Sequence, residues 1–187
     1  MGDPKRIKRK YETPSHPWQA ERIQEEKKLQ SEYGLRTKQE IWKAQAMLRG
    51  FRRHARELLV QESEHSKRQE RQLLDKLVRM NILKEGSILD DILSLNVRDM
   101  LDRRLQILVY KKGLSNTVKQ ARQFIVHGHI TVDGRKVNSP SYMVTGSEEE
   151  NIEGVEGSVA VKVQAKEAEE AVKVQAKEDD KNAEEAA

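Results

Sequence analysis

The chain has 187 residues, room for one or two small domains and too few for a large catalytic domain beside a second module. Charged residues make up 35% and aromatic residues 4%, so extensive aromatic-rich packing is not expected, and the complete lack of cysteine removes disulfides, thiolate zinc sites and cysteine nucleophiles together. The net charge of +4 is unevenly spread: residues 1–80 carry 20 basic against 12 acidic groups, residues 81–145 carry 10 against 6, and residues 146–187 carry 5 against 13.

Residues 1–17 form a basic arm, Lys5-Arg6-Ile7-Lys8-Arg9-Lys10 at its centre, expected to order against phosphate or else to remain a solvated tail. Trp18 follows the cap residue Ser15 and Pro17, and is read as a small hydrophobic anchor in preference to a base-stacking platform. Residues 18–95 read as a helical N-terminal domain. A charged helix over about Trp18–Ser31 breaks at Tyr33-Gly34-Leu35, and a capping pattern at Thr37 and Glu40 opens a second. Ile41, Ala44, Leu48, Phe51, Ala55 and Leu58 recur along it in steps of three and four, which makes a packing seam. Arg49, Arg52, Arg53 and Arg56 crowd beside that seam, where a phosphate would relieve their repulsion; a solvated charged face is the alternative. Gly50 sits mid-helix at a cost of roughly 1 kcal/mol relative to alanine, which a close approach of RNA or of another helix would explain. A third helix over about Glu64–Met80 carries Leu73 and Leu77, and Ser87-Ile88-Leu89-Asp90 opens a short fourth. No long linker follows, so this domain is expected to pack on the next.

Residues 96–145 predict two helices and a hairpin. Val97, Leu101, Leu105 and Leu108 keep helical spacing behind an Asn96 cap, with Gly113 ending one continuous helix. Ser115, Asn116 and Thr117 cap a second, whose stripe is Val118, Ala121, Phe124 and Ile125 and whose end is Gly128. HITVDGRKVN then alternates about Asp133-Gly134, a dipeptide suited to a two-residue hairpin turn. Pairing Val132 with Arg135 and Ile130 with Val137 sends those four to one face, and His129, Thr131, Lys136 and Asn138 to the other. Arg103, Arg104 and Lys111 fall beside the first stripe, and Lys119 and Arg122 flank the second. Arg104 lies at the stripe's edge, where covering it is the alternative role. Cationic flanks, a polar hairpin face and the amides at Ser115 and Thr117 together suit an RNA backbone.

Residues 146–187 change character. Glu148-Glu149-Glu150 precede AVKVQAKE, which occurs at 160–167 and again at 171–178. With few large apolar groups this predicts a disordered acidic tail, either competing with RNA for the basic body or simply a tolerated extension. The whole is thus an α+β chain.

A basic body suits nucleic acid or a membrane surface, but no apolar run approaches the ~18 residues of a membrane span, and Met1–Lys10 lacks a signal-peptide core. A cytoplasmic chain without a membrane partner is expected. Asp90-Asp91 and Asp99 with Asp102 read as helix-start charges, His127 and His129 as turn residues or RNA contacts, and no P-loop, nucleophile elbow or dinucleotide fingerprint is present. Neither an enzyme nor a cofactor or metal is expected.

The order of residues is more specific. LDRRLQILVYKKGLSNTVKQARQFIVHGHITVDGRKVNSPSYMV resembles, nearly throughout, the RNA-binding domain named after small-subunit ribosomal protein S-four, notably at LDRRL, Gln120-Ala121-Arg122, His127-Gly128-His129, Val132-Asp133-Gly134 and Val137 to Tyr142. That domain is also appended to pseudouridine synthases and tyrosyl-tRNA synthetases, so the flanks decide. GDPKRIKRKYETPSHPWQAERI and YGLRTKQEIWKAQAMLRGFRRHARELL are similar to the N-terminal region of the S-four ribosomal family in its archaeal branch. The resemblance spans Gly2 to Val144. It implies a structural component of the small ribosomal subunit, one copy in each, that binds small-subunit ribosomal RNA at a multi-helix junction of the 5′ domain. Nucleation of subunit assembly, neighbouring ribosomal proteins near the messenger entry side and an influence on translational accuracy are implied in the same way. Some bacterial members hold zinc through N-terminal cysteines, which this chain lacks. A free-standing RNA modification or rescue factor, and a helical scaffold for an acidic protein, are the rival readings.

Overall fold

The computed structural model describes residues 9–60 and 63–155. The arm before Arg9 and the repeated segment after Val155, with the disorder expected there, lie outside the described residues. The secondary structure is mostly helical with one three-stranded antiparallel sheet, the α+β class expected. It divides into two units, one ending at Arg103 and the other beginning at Arg104, whereas the composition places a boundary at 95/96.

The first unit is built from α1 (Ala20–Glu32), α2 (Lys38–Val60), α3 (Glu64–Arg79), α4 (Leu89–Ser94) and α5 (Val97–Asp102). The seam read from the spacing is where α2 buries Ile41, Leu48, Phe51 and Ala55, and α3 buries Leu73 and Leu77. Short polar side chains set the helix starts: Ser63 accepts the Ser66 amide at 3.1 Å, and Asp99 accepts the Asn96 amide at 2.6 Å.

Trp18 is not an anchor, for it is 90% exposed. Trp42 takes that part, because its indole nitrogen has a buried acceptor within reach: Nε1 donates to Glu26 Oε1 at 2.9 Å. Arg22 reaches the same oxygen at 2.5 Å and Lys38 reaches Oε2 at 3.2 Å, around a glutamate only 2% exposed. Burial pushes the Glu26 carboxyl pKa up, but the hydrogen bonds from Trp42, Lys38 and Arg22 outweigh it and hold the group below its ordinary value.

The second unit holds α6 (Leu105–Lys111), α7 (Val118–Val126), β1 (Ile130–Val132), β2 (Arg135–Lys136), α8 (Gly146–Glu150) and β3 (Ile152–Gly154). The single helix expected from Val97 to Gly113 is two. Arg103 turns the chain and Arg104 is extended, at φ −76° and ψ 141°, pairing with Met143 as an isolated bridge. The Leu105 amide then donates to the Tyr142 carbonyl at 2.8 Å. A helix start leaves amides without intrahelical partners, and here the strand-like segment around Tyr142 supplies one.

The hairpin keeps the register derived from its turn, with Val132 opposite Arg135 and Thr131 opposite Lys136. Asp133 and Gly134 both have positive φ, 50° and 73°, as a type I′ turn requires. Leu105, Leu108, Ala121, Phe124 and Ile125 pack with Ile130 and Val132 in one core, with Val137 partly buried against it. Arg135 shares the inward register but is exposed.

Residues 146–155 belong to this unit and not to a disordered tail. Glu148 accepts the Thr145 amide at 2.9 Å and the Tyr142 hydroxyl at 2.7 Å, which starts α8. Burial raises the Glu148 pKa, yet the Thr145 amide and the Tyr142 hydroxyl bring it below the usual carboxylate value; the same bond, aided by burial, raises that of the Tyr142 phenol. β3 then pairs antiparallel with β1, giving the strand order β2-β1-β3 and burying Ile152 in the core. Asn151 clasps the hairpin turn, its Nδ2 donating to Asp133 Oδ1 at 2.7 Å and its carbonyl accepting the Asp133 amide at 3.2 Å.

Two stability measurements check this account. Glu26→Gln should lower the unfolding free energy of the full chain by about 2 to 3 kcal/mol in denaturant titration at neutral pH. Because the folded-state pKa is depressed, that advantage is complete above the ordinary value of 4.5 and disappears as pH falls through the lower folded value. Ile152→Ala should cost about 2 to 4 kcal/mol, since it empties a core position; no change would mean that residues 146–155 are not part of the fold.

Candidate nucleic-acid interface

In the second unit the candidate residues gather on two surfaces. The first is the exposed side of α7. Thr117 caps this helix by accepting the Gln120 amide at 3.2 Å, and Gln120 Oε1 in turn accepts the Asn116 amide at 3.0 Å. The Asn116 and Gln120 amides at this helix start are therefore already engaged within the chain. Ser115 is buried, away from that surface. Lys119 is exposed, one turn from Arg122, whose Nη1 lies 3.4 Å from Gln106 Oε1. Gln106 is itself buried and donates Nε2 to the Val118 carbonyl at 3.0 Å, so α6 positions Arg122 through a glutamine that the sequence reading passed over. Lys111 ends α6, exposed.

The second surface is the outer face of the sheet. Lys136 stands opposite Thr131, and Thr131 opposite Glu153, so β3 adds a carboxylate to a face read as neutral to basic. His129 lies beside it, its ring edge-on to Phe124 at 6.1 Å and stacked with His127 at 6.2 Å. Asn138 is exposed, and its Oδ1 would meet a Cβ added at Gly128 at 3.3 Å. The positive φ of 73° at Gly128 already favours glycine there and lets the chain turn from α7 into β1. Among the described residues no group of three or more His, Cys, Asp or Glu side chains comes together as a metal site would require.

In the first unit the four α2 arginines separate by role. Arg52 donates to the Leu95 carbonyl at the end of α4, an intramolecular cap. Arg49 pairs with Glu12, and Arg53 with Glu57 at 3.7 Å; both pairs are largely exposed, so solvent screens them. Arg56 is exposed. Arg103 and Arg104 are buried, 8% and 5% exposed. The covering role left open for Arg104 is the one its burial fits.

A family model described as the S4 domain matches residues 103–150, ending within the α8 that composition had assigned to the tail. A small ribosomal subunit protein uS4 from Methanothermobacter thermautotrophicus is 54% identical over 152 residues, 81% of this chain and 89% of its own length. The chain belongs to the uS4 family of small ribosomal subunit proteins. Family members bearing the same name from Methanosphaera stadtmanae and Saccharolobus solfataricus are 48% and 54% identical over 87% and 82% of the chain, covering 89% and 85% of their own lengths. All three are archaeal, in keeping with the branch suggested by the N-terminal residues.

Salt titrations with transcribed small-subunit ribosomal RNA separate contact from packing. Lys119→Ala should reduce the slope of log affinity against log salt by about 0.7 to 0.9, one phosphate's worth. Arg104→Ala should leave that slope unchanged and lower the melting temperature instead.

Proposed function

We propose that this chain is a structural, non-catalytic protein of the small ribosomal subunit, present once in each, which binds the subunit's RNA directly. The observation that carries the reading is 54% identity over 81% of the chain to a protein named for that subunit. Cations on two sides of a small α+β unit, the exposed Lys119 and half-buried Arg122 on α7 and the exposed Lys136 on the hairpin, support it, because a rigid body with two basic surfaces holds two stretches of sugar-phosphate at a fixed angle. In the first unit Arg49, Arg53 and Arg56 add exposed cations on α2, and Lys111, Thr117, His129 and Asn138 of the second complete the contact set.

A fixed angle selects one junction geometry among several, which suits a multi-helix junction of the 5′ domain and a part in nucleating assembly of the subunit body. Neighbouring ribosomal proteins near the messenger entry side, and an effect on translational accuracy, complete the proposal. Its setting is the cytoplasmic ribosome. No helix among the described residues is long and apolar enough to cross a membrane.

Sedimentation of cell extracts tests this directly. The chain should travel with small subunits at about one copy each, and the purified protein should prefer small-subunit RNA to heparin at equal charge. Recovery with transfer RNA or the large subunit would instead favour a modification or rescue factor, and a partner that survives ribonuclease would favour a protein scaffold.

A further inference from the structure

Gly50 occupies the middle of the 23-residue helix α2, where glycine is a poor choice by helix propensity. Its backbone is not in the left-handed region, and a Cβ added there would meet nothing within 4 Å. No other part of the described chain therefore approaches closely enough to demand the missing side chain. What lies over it is a groove of about 490 Å³ between α2 and the segment Arg9–Glu12, floored by Ala46 and Gly50 one helical turn apart. Arg9 and Lys10 line it from the arm, Arg49 and Arg53 from the helix, and Glu12 is the one carboxylate in the lining.

We infer that this groove is a seat for the RNA sugar-phosphate backbone, with the strand in contact with the bare helix surface at Gly50. The inference rests on the RNA-binding reading above and names where on the first unit a strand lies. The groove volume falls within the range of about 300 to 1,000 Å³ in which single small ligands are enclosed, so it admits one or two linked nucleotide units, not a duplex. Four cations against one carboxylate favour a polyanion. Arg49 engages Glu12 in the free protein, but both side chains are more than half exposed, so a phosphate can take the guanidinium at little cost. The same holds for Arg53 and Glu57. Small residues on the floor let the strand come close enough for backbone contact, while the cations on both walls hold its phosphates.

Stability and affinity then move in opposite directions, which no purely structural role for Gly50 produces. In the full chain Gly50→Ala should raise the melting temperature by about 2 to 4 °C and still weaken binding to transcribed small-subunit ribosomal RNA. Gly50→Leu, which keeps the helical gain and fills the groove, should weaken it by about tenfold or more, and Arg53→Ala should lower the salt slope by about 0.7 to 0.9. Wild-type affinity in both glycine variants, with folding confirmed by their melting temperatures, overturns the inference and leaves the RNA-binding reading standing. If the wild type shows no preference for this RNA over heparin, that reading fails, and the groove inference fails with it.

Discussion

Leu105 gives its amide to the carbonyl of Tyr142, and Arg104 pairs as a single bridge with Met143. Much of the second unit follows from this clamp. It starts α6 without a side-chain cap, it turns Arg104 inward, and it holds Tyr142 where its hydroxyl reaches Glu148. Glu148 in turn opens α8, and α8 delivers β3 to the free edge of β1. A three-stranded sheet over two helices is a far better-buried object than a lone hairpin, and it depends on residues almost forty positions apart in sequence.

Charge is managed in the same economical manner. A chain dense in lysine and arginine must either neutralise them internally or leave them facing a polyanion. Arg22 and Lys38 are spent on Glu26, Arg52 on a helix-end carbonyl, and Arg103 and Arg104 on the interior. Lys119, Lys136 and Arg56 remain exposed. Cation clusters in sequence thus overstate the surface that a phosphate can meet, because a guanidinium is as useful for covering apolar surface as for binding.

The elements that could be read from the sequence are those whose determinants lie within a few residues. Asp133-Gly134 dictates its turn and, through the turn, the register of Val132 and Lys136. Thr117 caps α7, and the steps from Ile41 to Ala55 mark the buried side of α2. What escaped reading depends on partners far along the chain. The break at Arg103 and Arg104 has no glycine or proline to announce it, and Leu101, Leu105 and Leu108 keep an unbroken helical rhythm across it. Ile152 stands nearly alone among acidic residues, so its burial could not be inferred from pattern, although the Thr145 to Glu148 spacing was a visible capping signal. Trp42 and not Trp18 is the tethered indole because only the fold brings Glu26, sixteen residues earlier, to its nitrogen. On the candidate surface the exposure of Lys119 was legible from helical spacing alone, whereas the engaged Asn116 amide, the buried Ser115 and the support given by Gln106 to Arg122 were not.

The clasp of Asn151 on Asp133 has a consequence for recognition. A two-stranded ribbon standing alone in water is at best marginally ordered, and fixing one residue's backbone costs about 1 to 2 kcal/mol in conformational entropy. With its tip held by Asn151 and its far edge paired to β3, the ribbon carrying Lys136 and Asn138 is immobilised when the protein folds. Any ligand that this ribbon contacts finds it already in shape, so less of the interaction free energy is lost to ordering at the moment of contact.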